Sequence, residues 1–294
     1  MIGAERWRSL LFVPVLSEKF LRGAAGRGAD AIQLDLEDSI PPAEKQAARE
    51  AVAAAAERLA AEGCEVVVRI NRPWRMAVRD MEASVHPDVC ALTLPKVPHA
   101  GHVRAVAEVL DELERERGVT PGHTLLIAMI ETAEGVTNAE AIAQAHPRLC
   151  GMIVGAEDLA VDLNMRPTPD ALRHANLRVL TAARAAGIAP LGFVGSLADF
   201  SDLDALRTRI AEARDLGFSG AFAIHPAQVA VMNEGFSPSR EEVARAEALT
   251  TAFDQALAEG RGAFSFEGKM IDLPVIQQAR IVLAQRDAIA ARGR

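Results

Sequence analysis

The sequence contains no tyrosine, and aromatic residues make up only 4% of its 294 positions. Basic residues are outnumbered by acidic ones, which gives a net charge of −8 at pH 7. A nucleic-acid-binding protein is expected to present a basic face and aromatic side chains that stack on bases. The composition therefore argues against nucleic acid as a partner, although it allows a local basic cluster for an anionic cofactor.

Cysteine is scarce, and long hydrophobic runs are absent. Cys64, Cys90 and Cys150 are odd in number and form no CxxC motif, which is typical of ordinary thiols in a reducing compartment. The apolar run 10–16 contains Pro14 and lacks a small-residue cleavage site, so it does not resemble a signal peptide. No stretch approaches the length of a membrane span. The sequence predicts a soluble, cytoplasmic protein that does not bind membranes.

Two nucleotide-binding motifs are missing as well. Neither G-x-G-x-x-G nor G-x-x-x-x-G-K-[ST] occurs, which weakens the case for an open doubly wound sheet. What the chain contains is eight short apolar runs with helical periodicity between them, and a strand about every thirty residues is typical of a (β/α)8 TIM barrel. The predicted strands are 9–13, 31–36, 65–70, 91–94, 125–130, 152–154, 189–194 and 220–224.

The last residues predict a C-terminal helical lid extension. Helices over about 240–259 and 275–286 flank the glycine-containing segment GRGAFSFEGKMIDLP, and no linker rich in serine or proline precedes them. We therefore divide the chain into a catalytic barrel domain, residues 1–238, and a lid or oligomerisation extension, residues 239–294. Such an extension is expected to cover the barrel mouth or a neighbouring subunit.

Two carboxylates follow neighbouring predicted strands. Glu131 follows the run 125–130, and Asp158 lies just beyond the run 152–154. Because the carboxyl ends of parallel strands meet at one edge of a sheet, we expect these two side chains to converge. Alone, each could be a helix-terminal or capping carboxylate. As a pair of hard oxygen ligands without nearby Cys or His, they favour Mg²⁺ over Zn²⁺, with Mn²⁺ as an alternative.

Other polar residues lie at the predicted strand ends. Glu37 and Asp38 would orient metal-bound water, and Arg69 is suited to bind a substrate carboxylate or carbonyl, although it could equally pair with Glu37 as a structural salt bridge. Backbone amides at Ala156, Glu157 and Asp158 would add anion-binding donors if that loop opens a helix. Lys96 and His225 are ambiguous between structural and functional roles.

Eight segments in this order resemble one known family. They are RSLLFVP, LDLEDSIPPAEKQAAR, VRIN, LPKV, IETAEGVTN, GAEDLA, and IHPAQV with FSPS, and they extend from Arg8 to Ser239. The chain resembles the HpcH/HpaI aldolase and citrate lyase β-subunit (CitE-like) family. Within it, the tail GRGAFSFEGKMIDLP resembles stand-alone malyl-CoA, β-methylmalyl-CoA and citramalyl-CoA lyases, whereas citrate lyase β subunits are expected to lack such a tail.

The resemblance implies a set of roles. Mg²⁺ would bind Glu131 and Asp158, Arg69 would contact the substrate, and Lys19 and Arg22 would lie near the phosphates of coenzyme A. On the residues alone, Lys19 and Arg22 could instead form a solvated helix face.

The resemblance also implies that Asp272 reaches the active site of an adjacent subunit in a homotrimer or hexamer. The expected reaction is cleavage of a β-hydroxyacyl-CoA to acetyl-CoA or propionyl-CoA and a 2-oxo acid, glyoxylate or pyruvate. Arg69 would stabilise the thioester enolate, and Asp272 would protonate it as general acid.

Two departures from the family pattern leave the substrate open. Val15 replaces the family's glycine after Val13-Pro14, and the loop GFVGSLADF, with Asp199, stands where relatives often have an aspartate-rich loop. Three alternative functions remain: a citryl lyase subunit acting on an acyl-carrier thioester, an aldolase for free 2-oxo acids, and a non-catalytic CoA-binding paralogue. The direction of the reaction and an accompanying thioester hydrolysis also remain open.

Overall fold

The structure, a computed structural model, describes residues 7–196, 202–260 and 264–292. Its main feature is a sheet of eight parallel strands whose apolar side chains are buried, as expected for strands covered by helices. The strands are β1 (Ser9–Pro14), β2 (Ala31–Asp35), β3 (Glu65–Arg69), β4 (Val89–Leu94), β5 (Leu125–Ile130), β6 (Leu149–Val154), β7 (Ala189–Leu191) and β8 (Ala221–Ala223).

The sheet curls into a (β/α)8 TIM barrel, which confirms the predicted fold. Consecutive strands pair from β1 to β7, and β8 pairs with β1. Between β7 and β8, a parallel bridge joins Leu191 to Gly220, and the amide of Gly192 donates a 2.7 Å hydrogen bond to the Gly220 carbonyl. Side chains such as Val67, Ile127 and Phe222 fill the interior as one apolar cluster, so the barrel is packed below its mouth.

Helices follow the strands, with two 3₁₀ turns at Ala25–Arg27 and Pro42–Glu44. The α-helices up to residue 235 are α1 (Glu18–Ala24), α2 (Lys45–Ala61), α3 (Trp74–Ser84), α4 (Ala100–Arg117), α5 (Ala133–Thr137), α6 (Ala139–Ala143), α7 (Ala156–Asp162), α8 (Pro169–Ala185), α9 (Leu203–Leu216) and α10 (Pro226–Gly235).

Two of the differences from the predicted elements have a local structural cause. The single helix expected between Thr132 and His146 is divided into α5 and α6 at Asn138, whose side-chain amide donates to the Pro98 carbonyl. Strand β7 ends at Leu191 instead of Val194, because Gly192 adopts a φ of +115° that an extended strand does not allow.

The chain divides into two compact units, Met1–Glu234 and Gly235–Arg294. In the second unit, α11 (Arg240–Ala258) packs against α12 (Leu273–Ala290) around buried apolar side chains such as Leu249 and Ile276. The sequence did not predict the antiparallel pair of strands β9 (Phe264–Phe266) and β10 (Lys269–Ile271) between them. Their turn, Glu267-Gly268, has positive φ at both residues, as a tight hairpin requires. None of the described helices has the length and hydropathy that crossing a membrane requires.

Candidate active site

The carboxyl ends of the barrel strands surround a cavity of about 1310 Å³. This is the position at which TIM barrels place their functional residues. Polar side chains from five strand ends meet there, above an apolar floor that includes Met129, Ile153 and Phe222. The acidic and basic residues that line the cavity are Lys19, Arg27, Asp35, Asp38, Arg69, Glu131, Glu157, Asp158 and His225.

Arg69, the last residue of β3, is held by carboxylates of the neighbouring β2 segment. The residue is 8% exposed, and its guanidinium donates from Nε and Nη2 to the two oxygens of Asp35, at 2.7 and 2.8 Å. Nη1 donates to Asp38 at 3.2 Å, and the Phe12 ring lies 4.8 Å from the guanidinium carbon. Burial opposes ionisation of Asp35, but the hydrogen bonds and the positive charge of Arg69, together with hydrogen bonds from Ser39 and the Glu37 amide, outweigh it, so the pKa of Asp35 is lowered.

Glu37 is the least satisfied carboxylate of the site. It is buried, and its Oε2 lies 2.9 Å from Arg69 Nη1 without accepting an aligned hydrogen bond. Burial raises the pKa of Glu37, and the positive charge of Arg69 only partly opposes that shift. A buried carboxylate oxygen without a hydrogen bond is costly, so this position favours an additional cation or a bound water.

Glu131 follows β5 and is 3% exposed. Its Oε2 accepts a 2.7 Å hydrogen bond from the backbone amide of Lys96. Burial raises the pKa of Glu131 to about 7; the Lys96 amide opposes this shift, and the charges of Glu37 and Asp158 add to it. Oε1 lies against Gly155, where a Cβ atom would come within 2.2 Å. The glycine at the end of β6 therefore provides the space that this carboxylate occupies.

Asp158 lies in the first turn of α7, directly after β6. Its side chain is more accessible than that of Glu131, at 38% exposed. The Lys96 ammonium lies 3.1 Å from Asp158 Oδ1 and 3.5 Å from Glu37 Oε1. The predicted convergence of Glu131 and Asp158 at one edge is therefore observed, with Lys96 between the acidic groups.

The donor set at this edge fits a magnesium ion. No group of three or more His, Cys, Asp or Glu side chains in the described part of the chain forms a complete metal site. Glu131 and Asp158 offer carboxylate oxygens, and Glu37 adds Oε2, which accepts no aligned hydrogen bond. Because Mg²⁺ commonly keeps several waters and binds only one or two protein carboxylates, this incomplete set fits Mg²⁺ better than a metal enclosed by protein ligands.

A model of the family described as HpcH/HpaI aldolase/citrate lyase matches residues 8–226. The chain belongs to this family. It is 38% identical to a (3S)-malyl-CoA thioesterase of Cereibacter sphaeroides over 293 residues, which cover 98% of this chain and 97% of the relative. It is 35% identical to citrate lyase subunit beta of Escherichia coli over 290 residues, which cover 97% of this chain and 95% of the relative.

A solved structure of the same family also matches. CitE from Mycobacterium tuberculosis, in complex with magnesium, acetoacetate and coenzyme A, is 32% identical in sequence. The match has a TM-score of 0.75 and covers 95% of this chain and 97% of the CitE chain. These comparisons confirm the family membership that the sequence segments predicted.

The prediction drawn from the C-terminal tail is wrong. The tail was expected to separate this chain from citrate lyase β subunits, but the match to the E. coli subunit covers 97% of the chain, which leaves too few residues to exclude the 239–294 extension. The tail therefore does not discriminate between these branches of the HpcH/HpaI family.

The predicted coenzyme A contacts are placed unequally. Lys19 lines the cavity, whereas Arg22 does not and instead bonds Glu18 one helical turn earlier, at 2.8 Å. Arg27, in the 3₁₀ turn after α1, lines the cavity in its place. Arg22 is held by this ion pair, because Glu18 lies one turn earlier on the same helix.

The remaining predicted site residues lie in different parts of the structure. Ala156 begins helix α7, as the anion-binding hypothesis required, and the Glu157 carboxylate accepts a hydrogen bond from Ser196. Asp272 belongs to the second unit, where it is exposed and directly precedes α12. Asp199 lies outside the described residues.

Three residues of this HpcH/HpaI site were not predicted from the sequence: Arg27, described above, Asp35 and Gly155. Asp35, which holds Arg69, is the last residue of β2, and only its presence as a charged residue in the apolar run AIQLDL could have drawn attention to it. Gly155 was treated as a strand terminator, although the close approach of Glu131 is the reason for a glycine at that position.

Proposed function

We propose that the protein is a Mg²⁺-dependent carbon–carbon lyase. It cleaves a β-hydroxyacyl-CoA of the malyl-CoA, methylmalyl-CoA or citramalyl-CoA type to acetyl-CoA or propionyl-CoA and a 2-oxo acid, glyoxylate or pyruvate. The observation that supports it best is the meeting of Glu131, Asp158 and the oriented guanidinium of Arg69 at one cavity. A family member crystallised with magnesium, acetoacetate and coenzyme A supports the ligand class.

Glu131 and Asp158 would hold the metal ion, and Glu37 and Asp38 would orient the water molecules around it. When bound, Mg²⁺ polarises substrate oxygen atoms and lowers the pKa of a coordinated hydroxyl group. Burial of Glu131 serves this role, because a carboxylate with few water contacts interacts more strongly with a cation.

Arg69 stabilises negative charge that develops on the thioester oxygen when the carbon–carbon bond breaks. A guanidinium has five N–H donors, and the bonds to Asp35 and Asp38 leave donor capacity on both terminal nitrogens. Because Asp35 fixes the plane of the group in advance, little reorganisation is needed when charge develops.

Coenzyme A would enter along α1. Lys19 and Arg27 line the cavity and are exposed, so their charges suit the phosphates of the coenzyme. The role predicted for Arg22 is retained as part of this proposal, with its Glu18 pair as the competing interaction. Asp272 of a neighbouring subunit would protonate the enolate carbon and release the acyl-CoA product, which requires a homotrimer or hexamer.

Thioester hydrolysis is a second candidate function. It is favoured by the 38% identity to a relative named (3S)-malyl-CoA thioesterase. Hydrolysis would release the hydroxy acid and free coenzyme A from the same substrate, whereas cleavage would release a 2-oxo acid and keep the thioester. The two reactions are therefore separable by their products.

The test uses purified protein with malyl-, methylmalyl- and citramalyl-CoA, with Mg²⁺, Mn²⁺ or EDTA. Release of 2-oxo acid and release of free thiol are measured separately. We expect metal-dependent 2-oxo acid release that is lost in Glu131→Ala and Asp158→Ala but retained in Glu134→Ala, an exposed glutamate three residues further along the chain. Free thiol without 2-oxo acid would identify the thioesterase instead.

The same experiment addresses the other candidates. Metal-dependent cleavage that survives in both Glu131→Ala and Asp158→Ala would contradict the metal assignment. Turnover only of an acyl-carrier thioester would indicate a citryl lyase subunit, and turnover only of free 2-oxo-hydroxy acids would indicate an aldolase. Tight binding of coenzyme A without any turnover would indicate a non-catalytic paralogue.

A further inference from the structure

Lys96 contacts three acidic residues that come from three different strand ends. Its backbone amide donates to Glu131 at 2.7 Å. Its ammonium lies 3.1 Å from Asp158 and 3.5 Å from Glu37. Lys96 itself follows β4, so it joins the carboxylates that follow β2, β5 and β6. Neither the family comparison nor the proposed chemistry gives this residue a role.

The backbone of Lys96 is held in an unusual conformation. Its φ is +49°, in the left-handed region that lysine rarely adopts. Arg72 Nε donates to the Lys96 carbonyl at 3.1 Å, and the amide of Val97 donates to the Met129 carbonyl at 3.1 Å. Such a conformation persists only where the surrounding structure fixes it. Bonds on both sides of the residue therefore direct its side chain toward the carboxylates.

From this arrangement we propose that the Lys96 ammonium is an internal counter-ion of the metal site. It neutralises Asp158 and Glu37 while no metal is bound, and it has to leave Asp158 when Mg²⁺ binds. The inference rests on the proposed ligands, Glu131 and Asp158. It extends the proposed function, because it makes the separation of Lys96 from Asp158 a step of metal binding.

The charge balance explains why such a counter-ion would be present. Glu37, Glu131 and Asp158 are three acidic groups at one edge of the barrel, and two of them are buried. Close like charges in a partly buried site repel one another strongly. A lysine side chain is flexible enough to withdraw. The cost is that Lys96 competes with Mg²⁺ for an Asp158 oxygen and repels the incoming cation.

The test is a calorimetric titration of substrate-free protein with Mg²⁺. In Lys96→Met, which keeps the apolar stem and removes the charge, we expect Mg²⁺ to bind at least about fivefold tighter than in the wild type, because both competition and repulsion are removed. Lys96→Arg keeps the charge and should bind nearly as the wild type does. Lys19→Met removes a charge at the same cavity without contacting these carboxylates, so its Mg²⁺ affinity should not change.

The opposite result would overturn the inference. If Lys96 merely holds Glu37 and Asp158 in place for the metal, Lys96→Met will bind Mg²⁺ equally or more weakly. A second variant, Lys96→Gln, repeats the comparison. The rise of the melting temperature with added Mg²⁺ reports Mg²⁺ binding without using the heat of the calorimetric titration. A wrong assignment of the metal ligands gives a different result. In that case Glu131→Ala would not reduce Mg²⁺ binding relative to the wild type.

Discussion

Asp35 and Arg69 are paired twice, once through the sheet and once through their side chains. They occupy adjacent register positions at the ends of β2 and β3, and both Asp35 oxygens accept from the same guanidinium, at 2.7 and 2.8 Å. The amides of Glu37 and Ser39 also donate to Asp35, at 3.0 and 3.1 Å. Both oxygens of this buried carboxylate are therefore used, and the orientation of Arg69 follows from the strand register.

Replacing Asp35 by Asn tests this relationship. Asn offers one acceptor oxygen, so the fork of two bonds is lost and Arg69 remains buried with less compensation. We expect the free energy of unfolding to fall by about 3 kcal/mol and kcat/KM for the preferred acyl-CoA to fall about a hundredfold, because the guanidinium is misplaced. Denaturant unfolding and steady-state kinetics measure the two effects.

Asp38→Asn is the matched control for that variant. Asp38 contacts the same guanidinium at 3.2 Å, but its side chain is 63% exposed. An exposed pair contributes less than about 1 kcal/mol, so this variant should unfold almost as the wild type does. Equal, small effects on stability in both variants would show that Asp35 does not hold Arg69.

The raised pKa of Glu131 predicts that the free energy of unfolding, measured without metal, depends on pH. Burial raises its pKa from 4.5 to about 7, so the folded protein binds a proton more tightly than the unfolded chain does. The contribution of protonated Glu131 to the stability of the folded protein is complete below about pH 4.5 and is lost as the pH rises through about 7. The full difference corresponds to about 3 kcal/mol.

Denaturant unfolding in EDTA at pH 5 and pH 8 measures this effect. From pH 5 to pH 8, the free energy of unfolding of the wild type should fall relative to that of Glu131→Gln, which cannot ionise at that position. Added Mg²⁺ should remove most of the loss at pH 8, and Mg²⁺ should bind more weakly as the pH falls below about 7 because it competes with the proton. A constant difference between wild type and variant across this range would refute the raised pKa.

The fold and the convergence of Glu131 and Asp158 could be predicted because both depend on local patterns. Apolar runs closed by polar residues identified β1 to β8, and Glu131 and Asp158 come directly after two of those runs. In a barrel, residues at strand ends converge whatever their separation along the chain. The pair could therefore be recognised without any knowledge of strand register.

Asp35, Lys96 and Gly155 depend on information that is not local. The partner of Asp35 lies 34 residues away and is determined by the register of β2 with β3. The direction of the Lys96 side chain follows from its left-handed backbone. Gly155 is needed because a side chain from the neighbouring strand fills the space beside it. Each of these depends on how strands pack side by side, which periodicity does not specify.

Gly155→Ala tests the space reserved for Glu131. The backbone angles of Gly155, φ −84° and ψ 101°, are accessible to alanine, so the fold should be retained. The new Cβ would lie 2.2 Å from Glu131 Oε1 and would force the carboxylate out of place. We expect at least a tenfold loss of Mg²⁺ affinity, measured by calorimetry.

The control is Gly26→Ala, since a Cβ at Gly26 meets no atom within 4 Å. Its Mg²⁺ affinity should equal that of the wild type, and both variants should keep the wild-type circular dichroism spectrum. Wild-type Mg²⁺ affinity in Gly155→Ala would mean that Glu131 does not need this position to bind the ion.

At the opposite end of the barrel, Arg148 and Glu114 form an ion pair that should affect stability alone. Arg148 precedes β6 and donates to both oxygens of Glu114, at 2.8 and 2.6 Å. The amides of Gly122 and Thr124 donate to the same carboxylate, at 2.7 and 2.8 Å. Glu114 is fully buried, so its replacement would leave a guanidinium without its main compensation.

We expect Glu114→Gln to lower the free energy of unfolding by about 3 kcal/mol. The values of kcat and KM for the acyl-CoA should stay within about twofold of the wild type, because residues at the amino-terminal face of a TIM barrel support stability and not catalysis. Asp111→Asn removes a half-exposed partner of the same arginine and should cost less than about 1 kcal/mol. Denaturant unfolding measures the change in stability, and steady-state kinetics on the same preparation measure kcat and KM. A tenfold loss of kcat in Glu114→Gln without loss of stability would show that the two faces of this barrel are coupled.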